Sequence, residues 1–332
     1  MTQDVVPPVL PSGQPSESEQ SALEAGDEVA LSLTIARRYY LQDESKVAIG
    51  KTLGLSRFQV ARMLHDGRRR GLVRIEIGWP GRIDPDMSAA LKRSLGLEEA
   101  VVVETQLGSP RSSVEHVGKA LADRVSASVH EGDTLGLTWS RPTVVMTQNL
   151  TRIQPCTVVQ LTGAIYPPDG LPGSVEITRH IASLNGTAAH AVYAPLVVPD
   201  PDTAQGLRGQ PEIAATMALY GHVDVAVLSV GAWVPSGSAV YDLLEPDERL
   251  ALTKAGVCGE ISGRLFDVDG RPVATSLDER VIGIEADRLK AIPRLITSSF
   301  GAHRRDATIA AVRAGFVHTL VVDEELARAM IS

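Results

Sequence analysis

From residue 45 the apolar positions fall into two short helical periods parted by a glycine. Val47, Ile49 and Leu53 predict one apolar face of a helix over 45–53. Gly54 can take the left-handed conformation that ends such a helix, and Ser56 supplies an oxygen to cap a second helix starting at Arg57. In that second helix Val60 and Leu64, with Met63 beside them, face inward, so Arg57, Phe58, Gln59, Arg62 and Asp66 face outward. Gly71 turns the chain, and the alternation over 72–77 predicts a strand forming a small wing. Upstream, Val29, Leu31, Leu33, Ile35, Ala36, Tyr39 and Tyr40 predict a helix that buttresses the pair. Residues 1–22 hold four prolines and almost no periodicity, the composition of a flexible tail without a fold. Trp79, Pro80 and Gly81 break the pattern and are expected to form a hinge.

The grammar then changes. After a short helix over 87–95, apolar strands alternate with amphipathic helices, which predicts a mostly parallel sheet covered on both faces. Strands are expected at 100–104, 134–138, 157–161, 224–230, 294–298 and 318–322, with extended segments near 191–198 and 261–266. Helices are expected over 113–129, 141–150, 177–184, 212–220, 247–255, 304–314 and 324–331. The domain division that follows is a tail over 1–22, a helix-turn-helix domain over 23–80, and a larger α/β domain over 85–332.

Charge sharpens the reading of the first domain. Between Asp27 and Arg82 there are eleven Lys or Arg against six Asp or Glu, whereas the whole chain carries −8. Positive potential therefore sits where the helix pair sits, as double-stranded DNA requires. Arg57 and Gln59 at the start of the second helix are side chains able to make bidentate bonds to base edges, and Phe58 and Arg62 share their outward face. Lys46, Ser56, Arg68, Arg69 and Arg70 complete the expected DNA-binding set, the arginine run being suited to phosphates. The competing reading is a helical hairpin with a solvated basic face. No apolar run approaches the roughly 20 residues needed to cross a bilayer, and no basic segment followed by an apolar one opens the chain, so a cytoplasmic protein without a membrane partner is expected. Cys156 and Cys258 lack CxxC partners and are expected to be small buried residues, with neither metal nor disulfide. GxGxxG is absent, and Trp139 and Arg141 stand where close backbone approach needs small residues, which argues against a dinucleotide; no cofactor is expected.

In open parallel sheets ligands bind beyond the carboxyl ends of the strands. The first such end is GLTWSRPT, residues 136–143, where the hydroxyls of Thr138, Ser140 and Thr143, with Trp139, Arg141 and the N–H groups of a new helix, form an anion cradle; the same residues would also serve a capped helix without a ligand. The other ends contribute Thr162 and Gly163, Gly231, and Phe300 and Gly301 before Arg304. Glu260, at a further turn, could accept sugar hydroxyls, and Arg304 could bind phosphate. Each of these charges alone is better read as solvated, and their convergence is what singles them out.

The order of IGKTLGLSRFQVARML, LGLTWSRPT, GVCGEISGRLFDVDGRPV, ERVIGI and LITSSFGAHRRDATIAAVRAGFVHTLVVDEELARAM resembles the SorC family of bacterial transcriptional regulators over about residues 27–332. The resemblance implies an α/β protein with a winged helix-turn-helix head and a Rossmann-like effector domain related to sugar-phosphate isomerases. It also implies a repressor or activator of a carbohydrate operon, usually a tetramer, with operator DNA and a sugar, polyol or phosphorylated sugar as partners, and no catalytic residues. The family commonly has glycines where this chain has Thr138 and Ser140, Asp at Glu260, Cys at Ser262 and Lys at Arg304. The alternative is a sugar-phosphate isomerase or deaminase with an added DNA-binding head, in which His303 and Glu260 would be the acid/base pair.

Overall fold

The computed structural model describes residues 28–73, 81–105, 110–167 and 170–331. The chain divides into two units between residues 78 and 79.

The first unit contains α1 (Glu28–Leu41), α2 (Lys46–Leu53) and α3 (Arg57–Arg69). Ile35, Ala36, Ile49, Leu53, Val60 and Leu64 form its buried core, with Tyr39, Met63 and Val73 packed against them. Ser45 caps α2, and Gly54 closes it at φ 69°, in the left-handed region. Ser56 and Gln59 form a capping box at α3: the Gln59 N–H donates to Ser56 Oγ (3.2 Å), and the Ser56 N–H to Gln59 Oε1 (2.8 Å). The turn between the helices depends on Gly50 as well. Leu55 N–H donates to the Gly50 carbonyl at 2.8 Å, and a Cβ on Gly50 would stand 2.5 Å from the Leu55 carbonyl oxygen.

Two expectations for this unit fail. Val47 is 62% exposed, because it lies two residues before Ile49 and so on nearly the opposite side of the helix; Leu33 is 40% exposed for the same reason, two residues before Ile35. The inward position near the end of α1 belongs instead to Arg38, whose Nε donates to Glu44 Oε1 at 2.9 Å. The wing over 72–77 and the hinge at 79–81 lie largely outside the described residues, as does the N-terminal tail.

The second unit opens with α4 (Pro85–Leu95), β1 (Glu99–Val103), α5 (Pro110–Ser128), β2 (Thr134–Leu137), α6 (Arg141–Asn149), β3 (Thr157–Gln160), α7 (Ser174–Asn185) and β4 (Ala189–His190). It continues through α8 (Pro201–Arg208), α9 (Pro211–Ala218), β5 (Val225–Ser229), β6 (Gly231–Ala232), α10 (Ala239–Leu243), α11 (Pro246–Lys254), β7 (Gly259–Ile261) and β8 (Arg264–Phe266). It closes with α12 (Leu277–Arg280), α13 (Ala286–Lys290), β9 (Arg294–Ser299), α14 (Arg305–Arg313), β10 (Thr319–Asp323) and α15 (Glu324–Ile331).

Seven strands pair in parallel in the order β1-β10-β9-β5-β2-β3-β4. Their side chains alternate between two cores. Val102, Val159, Ala226, Leu228, Leu295, Leu320 and Val322 join one, with Leu91 of α4 and Leu326 of α15; Val101, Val103, Val158, Val225, Val227, Ile296 and Val321 join the other, with Leu121 of α5 and Met146 of α6. From β2 the chain winds outward to β3 and β4, and from β5 it winds the other way to β9 and β10. The direction of winding thus reverses between β2 and β5. A small antiparallel sheet, β6-β7-β8, rises directly beyond β5.

The expected extended stretch over 261–266 is two strands, turned at Ser262 (φ 56°) and Gly263 (φ 79°). The stretch over 191–198 is held mainly by the isolated bridges Ala164↔Pro195 and Val197↔Val281. Cys156 is buried, Cys258 is only half-buried, and both are free. No helix among the described residues is long and apolar enough to cross a membrane.

Gly50→Ala should destabilise the first unit by about 1–3 kcal/mol, because the new methyl meets backbone with little freedom to move. Hydrogen exchange should show faster exchange of amides over 28–73, with protection of the parallel sheet unchanged.

Candidate functional site

A cavity of about 430 Å³ opens at the carboxyl ends of β2, β3, β5 and β9, over the point where the winding reverses. Of the twelve residues singled out by sequence, nine line it: Thr138, Trp139, Ser140, Arg141, Thr162, Gly231, Glu260, Phe300 and Arg304. Thr143, Gly163 and Gly301 are not in its wall. Thr143 is fully buried beneath Ser140. A Cβ on Gly163 would lie 2.4 Å from the Pro195 carbonyl oxygen, so this glycine lets two segments cross. Gly301 has φ 79° and donates its N–H to Asp323, which fixes the loop that delivers Arg304.

Most hydroxyls near β2 are already engaged. Thr138 Oγ1 donates to the Val227 carbonyl (2.9 Å), and Trp139 Nε1 donates to the Pro172 carbonyl (2.8 Å). Ser140 is the N-cap of α6: its Oγ accepts the Thr143 N–H at 3.1 Å and shares a hydrogen with Thr143 Oγ1 at 2.7 Å. Pro142 has no N–H, so the start of α6 offers an anion fewer backbone donors than the sequence implied. Positive charge in the cavity comes instead from the side chains of Arg141 and Arg304.

Arg304 is buried and tightly framed. Its guanidinium carbon lies 4.1 Å from the centroid of the Phe300 ring, Nη1 donates to the Phe300 carbonyl (2.8 Å), and Nη2 approaches the Gly237 carbonyl at 3.3 Å. Burial pushes its pKa down to about 10, Asp323 opposes that shift, and the positive charge of Arg141 adds to it. His303 Nε2 is 2.7 Å from Arg304 Nη1; burial and this arginine lower the imidazole pKa, and His303 is not part of the cavity wall.

Glu260 forms the opposite pole. Its Oε1 accepts from Ser238 Oγ (2.8 Å) and its Oε2 from the Gly263 N–H (2.9 Å). Burial raises its pKa, partly offset by those two donors. Gly231 pairs opposite Glu260 in the ladder, and a Cβ there would be 2.2 Å from Oε1. The sequence reading missed Ser238, Asp242, Ser236, Tyr166 and Leu243 and marked Ser262 only as a departure from the family pattern, yet all six line the cavity. Ser238 could have been found as a cap before AVYDL, since its Oγ accepts the Tyr241 N–H at the start of α10. Ser262 holds a left-handed φ of 56°, and its Oγ is buried without a partner among the described residues.

Residues 84–332 match the family described as "Putative sugar-binding domain". The chain is 25% identical to the sorbitol operon regulator of Klebsiella pneumoniae over 317 residues, covering 93% of this chain and 100% of that protein. It is 25% identical to the deoxyribonucleoside regulator of Bacillus subtilis over 305 residues, covering 91% and 97% of the two chains. The crystal structure of the full-length sorbitol operon regulator SorC from Klebsiella pneumoniae superposes with a TM-score of 0.68 at 24% identity, covering 92% of this chain and 100% of that one.

Because burial raises the Glu260 pKa, the folded protein takes up this proton at higher pH than the unfolded chain does. Its stabilising contribution is complete below the unfolded carboxylate range and is lost as pH rises through the elevated value. Urea unfolding of wild type and Glu260→Gln at about pH 7 and about pH 4 should therefore show the difference in midpoint moving toward wild type at the lower pH.

Proposed function

The chain belongs to the sugar-binding-domain family of transcriptional regulators, the SorC family, and on that basis we propose that it couples a phosphorylated sugar or polyol in the cavity to operator binding by its helix-turn-helix. The observation that carries this reading is the pairing of two arginines, Arg141 and Arg304, in one cavity whose other pole is a carboxylate. The positive charge of Arg141 disfavours that of Arg304, an anion between the two relieves this, and a phosphate offers acceptors for both. Glu260, Asp242 and Ser262 stand where acceptors and donors for sugar hydroxyls are wanted. An acid sugar would serve the arginines less well, having two charged oxygens to a phosphate's three.

In this reading α3 lies in the major groove of double-stranded operator DNA, with Lys46, Arg57, Arg62 and Arg68 to Arg70 supplying base and phosphate contacts. Copies of the chain associate as a dimer or tetramer to meet two half-sites. Effector bound preferentially to one conformation shifts operator affinity by the difference in its own affinities for the two conformations. The protein works without a cofactor and without turnover. An isomerase would need an acid/base pair at the sugar carbonyl, and the cavity wall includes Glu260 but not His303.

Thermal unfolding of the full chain against sugars, polyols and their phosphates tests the effector. A phosphorylated ligand at one hundred times its Kd should stabilise by about 2.7 kcal/mol, and Arg141→Ala should remove that shift while leaving the ligand-free midpoint nearly unchanged. A shift with neutral sugars alone, or one that survives Arg141→Ala, would overturn the anionic effector.

A further inference from the structure

Around α3, the residues most directly opposed to the buried Val60, Leu64 and Gly67 are Phe58, Arg62, His65 and Arg69, all exposed. Three of the four are basic or polar. The one apolar member, Phe58, is 74% exposed, and the Arg57 guanidinium lies 5.0 Å from its ring centroid. A large aromatic side chain left in water within a basic stripe calls for an apolar spot embedded in an otherwise polar, anionic surface. The major groove of DNA provides one such group, the 5-methyl of thymine.

The neighbouring amide points the same way. A glutamine reads adenine by presenting its oxygen and its NH₂ together to one base edge. Gln59 has its Oε1 turned back onto the Ser56 N–H at 2.8 Å, so the capping box holds that oxygen at the start of the helix. Gln59 is thus a helix-stabilising residue first. Arg57, Phe58 and Arg62 are the exposed side chains at this end of α3 that the cap does not hold.

We propose that Phe58 reads the 5-methyl group of one thymine in each operator half-site, while Arg57 and Arg62 take the polar base edges and phosphates beside it. This rests on the reading of the first unit as a DNA-binding head and adds to it a residue that selects sequence through an apolar contact.

The test uses the full-length chain. A preferred duplex is first enriched from a random pool, and each thymine of its half-sites is then replaced singly by 2′-deoxyuridine, which removes only the methyl. One position per half-site should weaken binding about fourfold, the size expected for one buried methyl. Phe58→Ala, with an unchanged melting temperature because the ring is exposed, should bind the thymine and uracil duplexes equally at that position. Two results would overturn the proposal while leaving DNA binding intact: an enriched sequence indifferent to every uracil replacement, or a Phe58→Ala protein that still discriminates. In either case Phe58 is not the reader of a thymine methyl. A pool from which nothing is enriched would remove the DNA-binding head itself, and the proposal with it.

Discussion

The constraint that governs the larger unit is the reversal of winding between β2 and β5. Adjacent parallel strands whose connections leave in opposite directions cannot both be covered at their carboxyl ends, so a crevice opens there. What the chain places at those ends follows from that geometry. Thr138 to Arg141 leave β2, Ser229 to Gly231 leave β5, and Phe300 and Arg304 follow β9, so residues far apart in sequence share one wall. The small sheet that begins one residue after β5 folds back over the crevice and brings Glu260 opposite Gly231.

The cavity is polarised because each charge is held by groups other than a ligand. Arg304 is clamped between the Phe300 ring and backbone carbonyls, and Glu260 between a serine hydroxyl and a backbone N–H. Both therefore keep their positions when the cavity holds only water, and neither must be ordered at the moment of binding. Preorganisation of this kind removes part of the entropic cost of association. Arg141, on the first turn of α6, is the more exposed of the two cations, and its position is set by the Ser140 cap beneath it.

Much of the architecture was legible because burial imposed a period on the sequence. β1, β5 and β10 are runs of Val, Ala and Leu bounded by polar residues, and α3 has its inward set at the spacing that one buried face demands. Val47 and Leu33 were misread because an alternation of two residues was credited to a helix, whose faces repeat near 3.6. The short helices α8, α10, α12 and α13 escaped because each buries at most one side chain, leaving no period to detect. At the candidate site, strand ends marked eight wall residues and an expected turn marked Glu260, which instead lies within β7, but Ser238 and Asp242 belong to the loop and short helix after β6, where spacing carries no signal. Thr143, Gly163 and Gly301 were drawn in by adjacency. Their neighbours face the cavity, while they hold the backbone that lets the neighbours do so.

The tight approach of Gly231 to Glu260 also fixes which way the acid lies. A β-carbon at position 231 would stand 2.2 Å from Oε1 and 2.8 Å from the Ser238 β-carbon, so a side chain there would displace the carboxylate from the hydroxyl that holds it. The bare backbone at 231 leaves Oε1 on Ser238, and the missing side chain is as much a part of the acidic pole as the carboxylate itself.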